Sequence, residues 1–283
     1  MRYMLIHAAD PELASKWDDE AQAAFSSWIE ETIRSGVNLQ GSRLRPTTDA
    51  TTVKIRDGEL IITDGPFAET KEQIAGYDLL ECASVDEAVR WAGRHPSSWV
   101  GAIEVRALPE RAPAEPLPEP GEGKIQYLML VCTDPAVDAR EFDRIEPVDP
   151  WVADTDGRGI RLYGSELESP GSARTVRVRD SRAIVTDGPF AETKEQIAGF
   201  DVLECADLDE AIEVARRHPM ARLGVLEVRP FWPFEEDYPD PTASPRNPQP
   251  APARHRPRPP RPASWGRSWP MPSGRNGAAS PRP

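Results

Sequence analysis

The stretch DGPFAETKEQIAG occurs twice, at Asp64–Gly76 and at Asp187–Gly199, and this repetition narrows the possible folds more than any other feature of the chain. Carried on to the next cysteine, Asp64–Cys82 and Asp187–Cys205 agree at 17 of 19 positions, at an offset of 123. The likeness runs backward through TTVKIRDGELIIT against RTVRVRDSRAIVT, and forward to AGRHP against ARRHP. Toward the start of each copy a one-residue change of offset aligns RYMLIHAADP with QYLMLVCTDP. The chain therefore divides into a first unit, 1–107, and a second, 124–234. Residues 108–123, LPERAPAEPLPEPGEG, form a Pro/Glu-rich linker that cannot bury a core and acts as a semi-stiff tether. Residues 235–283 form a Pro/Arg-rich tail, and 14 prolines in 239–283 argue for disorder there.

Each unit can be read element by element. Tyr3–Ala8 is a short apolar strand. Asp19–Ser35 carries Ala21, Phe25, Trp28, Ile29 and Ile33 at helical spacing and closes at Gly36. Val37–Leu44 is a second strand, and Thr52–Thr63 is a hairpin turning at Asp57-Gly58. The repeated loop follows, then a strand at Tyr77–Cys82. Ser84 and Glu87 form a capping box opening a helix that runs to His95-Pro96, and Asp207 with Glu210 does the same in the second copy. GAIEVRAL or GVLEVRPF closes the unit. Without the hairpin the order is β-α-β-β-α-β, the ferredoxin-like pattern, and the class is α+β. An antiparallel sheet with helices on one face has a second face to bury, so the two units are expected to pack sheet on sheet as an intramolecular pseudo-dimer, with the linker outside. The second unit's first helix, between Ala136 and Asp156, is expected to be broken by Pro147 and Pro150.

Charge and cysteine content exclude some functions. The net charge of −13 is the sum of a tail at +7 (eight arginines and Asp240 in 239–283) and a body at −20. So acidic a body argues against direct nucleic-acid binding by the folded part. Cys82, Cys132 and Cys205 have no Cys-x-x-Cys spacing and read as buried free thiols, in keeping with a reducing cytoplasm. The start, MRYMLIHAADPE, is too short in apolar residues for a signal peptide, and no stretch could span a membrane, so a cytoplasmic location is expected. HExxH, clustered Cys/His, EF-hand, GxGxxG, GxxxxGK[ST] and nucleophile-elbow patterns are all missing, so no metal or nucleotide cofactor is expected.

The repeated stretch has two parts. In Asp64-Gly65-Pro66-Phe67 the glycine permits a positive φ, the proline fixes the next, and the phenylalanine anchors the turn. Ala68–Gln73 is charged and lies on a connection. It could line a pocket, with carboxylates as acid or base and Lys71 holding an anion, or it could seal the contact between the halves. The candidate site residues are His7, Asp64, Glu69 and Lys71, with Asp187, Glu192 and Lys194 as second-copy equivalents. His95 and His218 precede proline at equivalent helix C-termini, where a cation is favoured by the helix dipole. His7 stands where the second copy has Val131, which would leave only the first half active. In the tail, PARHRPRPPRP could serve as a polyproline ligand or an arginine arm, with Trp265 and Trp269 as docking anchors. Phe231–Phe234 is expected to fold back on the second unit.

The DGPFAETKEQ run, the hairpin before it and the RHP…EVRP close together resemble the DGPF branch of the YCII-related family, over nearly all of both units. The resemblance implies a dimeric α+β barrel of ferredoxin-like units and small-molecule enzyme chemistry on a His/Asp pair, for which Asp64 and Asp187 are the nearest acids. It also implies a regulatory role beside extracytoplasmic-function sigma factors. Two functions therefore stand: a cofactor-independent lyase- or isomerase-type domain pair acting on a small molecule, or a non-enzymatic partner of a sigma factor or the transcription machinery.

Overall fold

The computed structural model describes residues 1–10, 12–13, 17–109, 116–134 and 136–232. The first half runs β1 (Arg2–Ala9), α1 (Asp19–Arg34), β2 (Asn38–Arg43), β3 (Thr51–Arg56), β4 (Glu59–Asp64), β5 (Gln73–Glu81), α2 (Val85–Arg94), the single turn α3 (Ser97–Val100) and β6 (Gly101–Ala107). The second runs β7 (Ile125–Thr133), α4 (Ala139–Phe142), α5 (Asp149–Gly157), β8 (Arg161–Glu166), β9 (Arg174–Arg179), β10 (Arg182–Asp187), β11 (Gln196–Cys205), α6 (Leu208–Arg217) and β12 (Val225–Pro230).

Local signals behave as their chemistry dictates. Asp18 caps α1 by accepting from Ala21 N. Ser84 Oγ accepts from Glu87 N, while the Glu87 carboxylate reaches Ala83 N, and Asp207 with Glu210 repeats the arrangement. Asp57 and Gly58 both take positive φ, the two-residue hairpin turn. In the second half the sixteen-residue helix gives way to α4 and α5, with Pro147 between them and Pro150 in the first turn of α5.

The four-stranded pattern grows in one respect that spacing does not reveal. The sheet orders are β10-β9-β6-β1-β5-β2 and β4-β3-β12-β7-β11-β8, all antiparallel, so each hairpin joins the sheet of the other half. β9 pairs with β6 through Ile103↔Val176 and Glu104↔Thr175, and β3 pairs with β12 through Leu226↔Val53 and Glu227↔Thr52. The exchange covers β6 and β12, which would otherwise be open sheet edges. Arginines fasten it. Arg179, at the end of β9, donates to the carbonyls of Ser98, Trp99 and Gly101, and Arg56, at the end of β3, to those of Ala221, Arg222 and Gly224.

The two sheets pack face to face over a core that draws Met4, Ile6, Tyr77 and Leu79 from one and Leu128, Leu130, Phe200 and Val202 from the other. Two further cores lie under the helices, one in each half. The linker does not run wholly outside: Leu108 is buried, Leu117 packs on the inter-sheet core, and Pro118 O accepts from the Gln126 side chain. Phe231 N donates to Gln126 O of the second half, but Trp232 N donates to Arg43 O of the first, so this segment straddles both. Phe234 and the whole tail, Trp265 and Trp269 included, lie outside the described residues. The three cysteines are free and buried, and burial pushes the Cys82 and Cys205 thiols up to about 12. No helix among the described residues is long and apolar enough to cross a membrane.

Candidate acid–base site

On the helix side of the first sheet, β1 places His7 beside Asp78 of β5, although β5 continues directly out of the repeated loop. His7 Nε2 is 2.8 Å from Asp78 Oδ2, and both side chains are buried. A carboxylate oxygen only accepts, so the proton of this bond sits on Nε2, and in the neutral ring Nδ1 then carries the lone pair. That Nδ1 is buried and has no hydrogen-bond partner among the described residues. Room for the carboxylate comes from Gly41 on β2, where a Cβ would overlap Asp78 Oδ1.

His95 follows α2 and completes the cluster. Its ring lies 4.3 Å from that of His7, centroid to centroid, and its Nε2 is 4.0 Å from Asp78 Oδ2. Trp28 and Phe25 of α1 meet the same ring edge-on, at 4.7 and 5.4 Å. Ser97 N donates to His95 Nδ1 at 3.1 Å, which puts the ring proton on Nε2. Burial, with His7 adding to it, holds His95 well below the ordinary histidine range. His218 is likewise lowered to about 4, by burial and then by Arg161. Both are therefore neutral caps, which corrects the expectation of cations favoured by the helix dipole: desolvation outweighs that field.

His7, Asp78 and His95 offer three ligand atoms within 4.8 Å of one another, the composition of a metal site. The Ser97 N–H opposes that use. Ligation through His95 Nε2 needs the proton moved to Nδ1, where it would face the Ser97 donor.

Among the other candidates read from sequence, the loop residues lie apart from this cluster. Asp64, Glu69, Asp187, Glu192 and Lys194 are exposed, and Asp187 pairs with Arg174 at 3.2 Å. The acid beside His7 is thus Asp78, with Asp64 and Asp187 both at the solvent-facing ends of the exchanged hairpins. Lys71, also exposed, reaches buried Asp10 at 3.2 Å, and this hydrogen bond raises its pKa. Asp78 does carry a sequence signal: it is an acid inside the apolar strand run YDLL, repeated as Asp201 in FDVL.

The repeated stretch forms the seam. Gly65 and Gly188 take positive φ, and Phe67 and Phe190 pack on the inter-sheet core. Phe67 N donates to Glu227 Oε2, and Phe190 N to Glu104 Oε2, each crossing to the other half. Glu104 is paired with Arg106, and Glu227 with Arg229, all four fully buried. Glu72 meets Arg177 of the second half at 2.6 Å. Between the two loops lies a cleft of about 500 Å³, open solvent included, lined by Pro66, Phe67 and Thr70, by their second-copy equivalents and by these buried pairs. Glu104 pairs with Ile6 and His7 with Ile103 across β1 and β6, so the cleft is on the opposite sheet face from His7.

The second half keeps the frame and loses the dyad. Asp201, His218 and Trp151 stand where the first half has Asp78, His95 and Trp28, and the Trp151–His218 rings are 4.5 Å apart. Val131 replaces His7, and Arg161 replaces Asn38 and binds Asp201 at 2.6 Å. Burial still pushes Asp201 up to about 6 against the pull of Arg161.

The sequence profile of the YCII-related domain matches residues 1–110 and 163–235, leaving out the segment that holds the broken helix. An uncharacterized protein of Rhizobium meliloti (strain 1021) is 37% identical over 123 residues, which are 41% of this chain and 98% of that protein. That relative has about the length of one of the two units. With both halves matched, and with their α+β sheets face to face, the chain belongs to the YCII-related family, in two tandem copies.

Proposed function

We propose that the first half is a small-molecule site of the lyase or isomerase type that moves a proton without a bound cofactor, with His7 as the base and Asp78 as its orienting partner. One atom carries this reading: His7 Nδ1, a buried nitrogen without a partner among the described residues, on a ring whose other nitrogen is held by a carboxylate. A buried acceptor left unpaired costs on the order of 1–3 kcal/mol, a cost that a ligand donor or a transferred proton removes. When Nδ1 takes a proton, the imidazolium forms 2.8 Å from Asp78, whose charge balances it. The reading assigns one site per chain, since Val131 offers no base and Arg161 occupies Asp201.

The test uses carbon acids. Small ketones and unsaturated lactones incubated with the full chain in D2O are expected to exchange hydrogen at the carbon next to the carbonyl. Both H7Q and D78N should slow that exchange by about 100-fold or more. Equal exchange in H7Q removes His7 from the mechanism. Exchange no faster than the protein-free background across the panel sinks the reaction class and favours the regulatory alternative.

A further inference from the structure

Two polar groups in the first-half cluster make no hydrogen bond among the described residues, and they are complementary. In the neutral ring, His7 Nδ1 is an acceptor without a donor among the described residues. His95 Nε2 carries a proton, because Nδ1 of the same ring is committed to the Ser97 N–H. Asp78 Oδ2 is 4.0 Å from His95 Nε2, beyond hydrogen-bonding distance. The two rings are 4.3 Å apart, centroid to centroid, in one buried cluster with Asp78.

We infer that His95 is a second ligand-contacting residue, and that the group bound between the two imidazoles is a hydroxyl, alcoholic, enolic or phenolic. A hydroxyl donates through its O–H and accepts through its lone pairs, so it satisfies both nitrogens at once. A carboxylate has no proton for His7 Nδ1 and would face the Asp78 carboxylate. An ammonium cannot accept from His95 Nε2. This inference rests on the reading of His7 as a base, and it adds the fate of the charge. For an enol, the O–H bond breaks, its proton forms the N–H on His7 Nδ1, and the electron pair stays on the oxygen, leaving the same enolate that removal of a carbon proton from the ketone gives. His95 Nε2–H then donates to that oxyanion. Neutrality of His95 is built into the fold: the Ser97 N–H, the Trp28 and Phe25 rings and deep burial all oppose a second proton. The second half is an internal control, for His218 has the same locked tautomer, with Met220 N on its Nδ1, but Arg161 acts on it and Val131 stands at the position of the base.

The experiment is a titration of the full chain with phenol and with anisole, whose methyl group caps the oxygen, read from the imidazole nitrogen and carbon resonances of His7, His95 and His218. Phenol is expected to shift His7 and His95 with one saturable curve and to leave His218 in place, and anisole to bind about tenfold more weakly, the worth of one hydrogen bond. H95N keeps an acceptor for Ser97 N and loses the Nε2 donor, so it should weaken phenol severalfold, whereas H95Q, which restores an N–H, should recover most of the loss. Independently of any variant, the free protein must show His95 as the Nε2–H tautomer. Anisole binding as tightly as phenol, benzoate binding more tightly, or a His95 proton on Nδ1 overturns this inference and leaves the reading of His7 standing. If neither phenol nor anisole shifts His7, both fail.

Discussion

Gly41 holds Asp78 in place by lacking a side chain. A Cβ there overlaps Asp78 Oδ1, and Gly164 stands in the same relation to Asp201. G41A is therefore expected to displace the carboxylate and break the His7 bond, at about 1–3 kcal/mol in stability. G164A should cost a similar amount while leaving the His7 resonances untouched. Urea unfolding and the His7 nitrogen shifts check both, and unchanged His7 shifts in G41A would show that Asp78 is not positioned this way. At this scale the sequence was half legible. His7 stood out because its counterpart is Val131. Asp78 did not, because three apolar neighbours disguised it as strand and the charged loop drew attention to Asp64, Glu69 and Lys71. Those loop residues face solvent, while the contacts across the seam are made by the Phe67 and Phe190 backbone and by the Glu72 carboxylate.

The exchanged hairpins and the loops that follow them tie the halves together at buried charge. Glu104 accepts from Arg106 and from Phe190 N, and Arg106 also reaches the carbonyls of Glu168 and Ile197. Removing Glu104 leaves a fully buried guanidinium without its countercharge, so E104A is expected to cost on the order of 3–5 kcal/mol. Both halves should lose that stability in one cooperative transition, since the pair serves both. Circular dichroism and tryptophan fluorescence followed during denaturation decide the point, and two separated transitions would contradict it. Element identity was legible because capping boxes, the Asp-Gly turn and helix-breaking prolines act within a few residues. The destination of each hairpin was not, because TTVKIR and RTVRVR present the same edge to either closing strand. Packing between the sheets makes that choice.

For the molecule as a whole, the buried histidines set the response to acid. His218 is lowered to about 4 and His95 well below its ordinary value, so between about pH 6.5 and 4 the unfolded chain binds protons there that the native state refuses. Stability falls as pH falls through that window. Asp201, pushed up to about 6, works in the opposite sense, because below that pH the native state binds a proton that the unfolded aspartate binds only near its ordinary value. D201N removes the opposing group, so the stability lost between pH 7 and pH 5 is expected to grow by on the order of 1 kcal/mol over the parent. Urea midpoints at the two pH values measure it, and an unchanged loss would mean that Asp201 titrates where an ordinary aspartate does. What the sequence alone determined is the doubled unit, its α+β order and its caps and turns, because repeats and local hydrogen bonds are written within short stretches of chain. The tertiary structure decided which sheet each hairpin completes, which acid meets His7 from 71 residues away, and that His95 stays neutral. These depend on long-range packing and on desolvation, which no local pattern encodes.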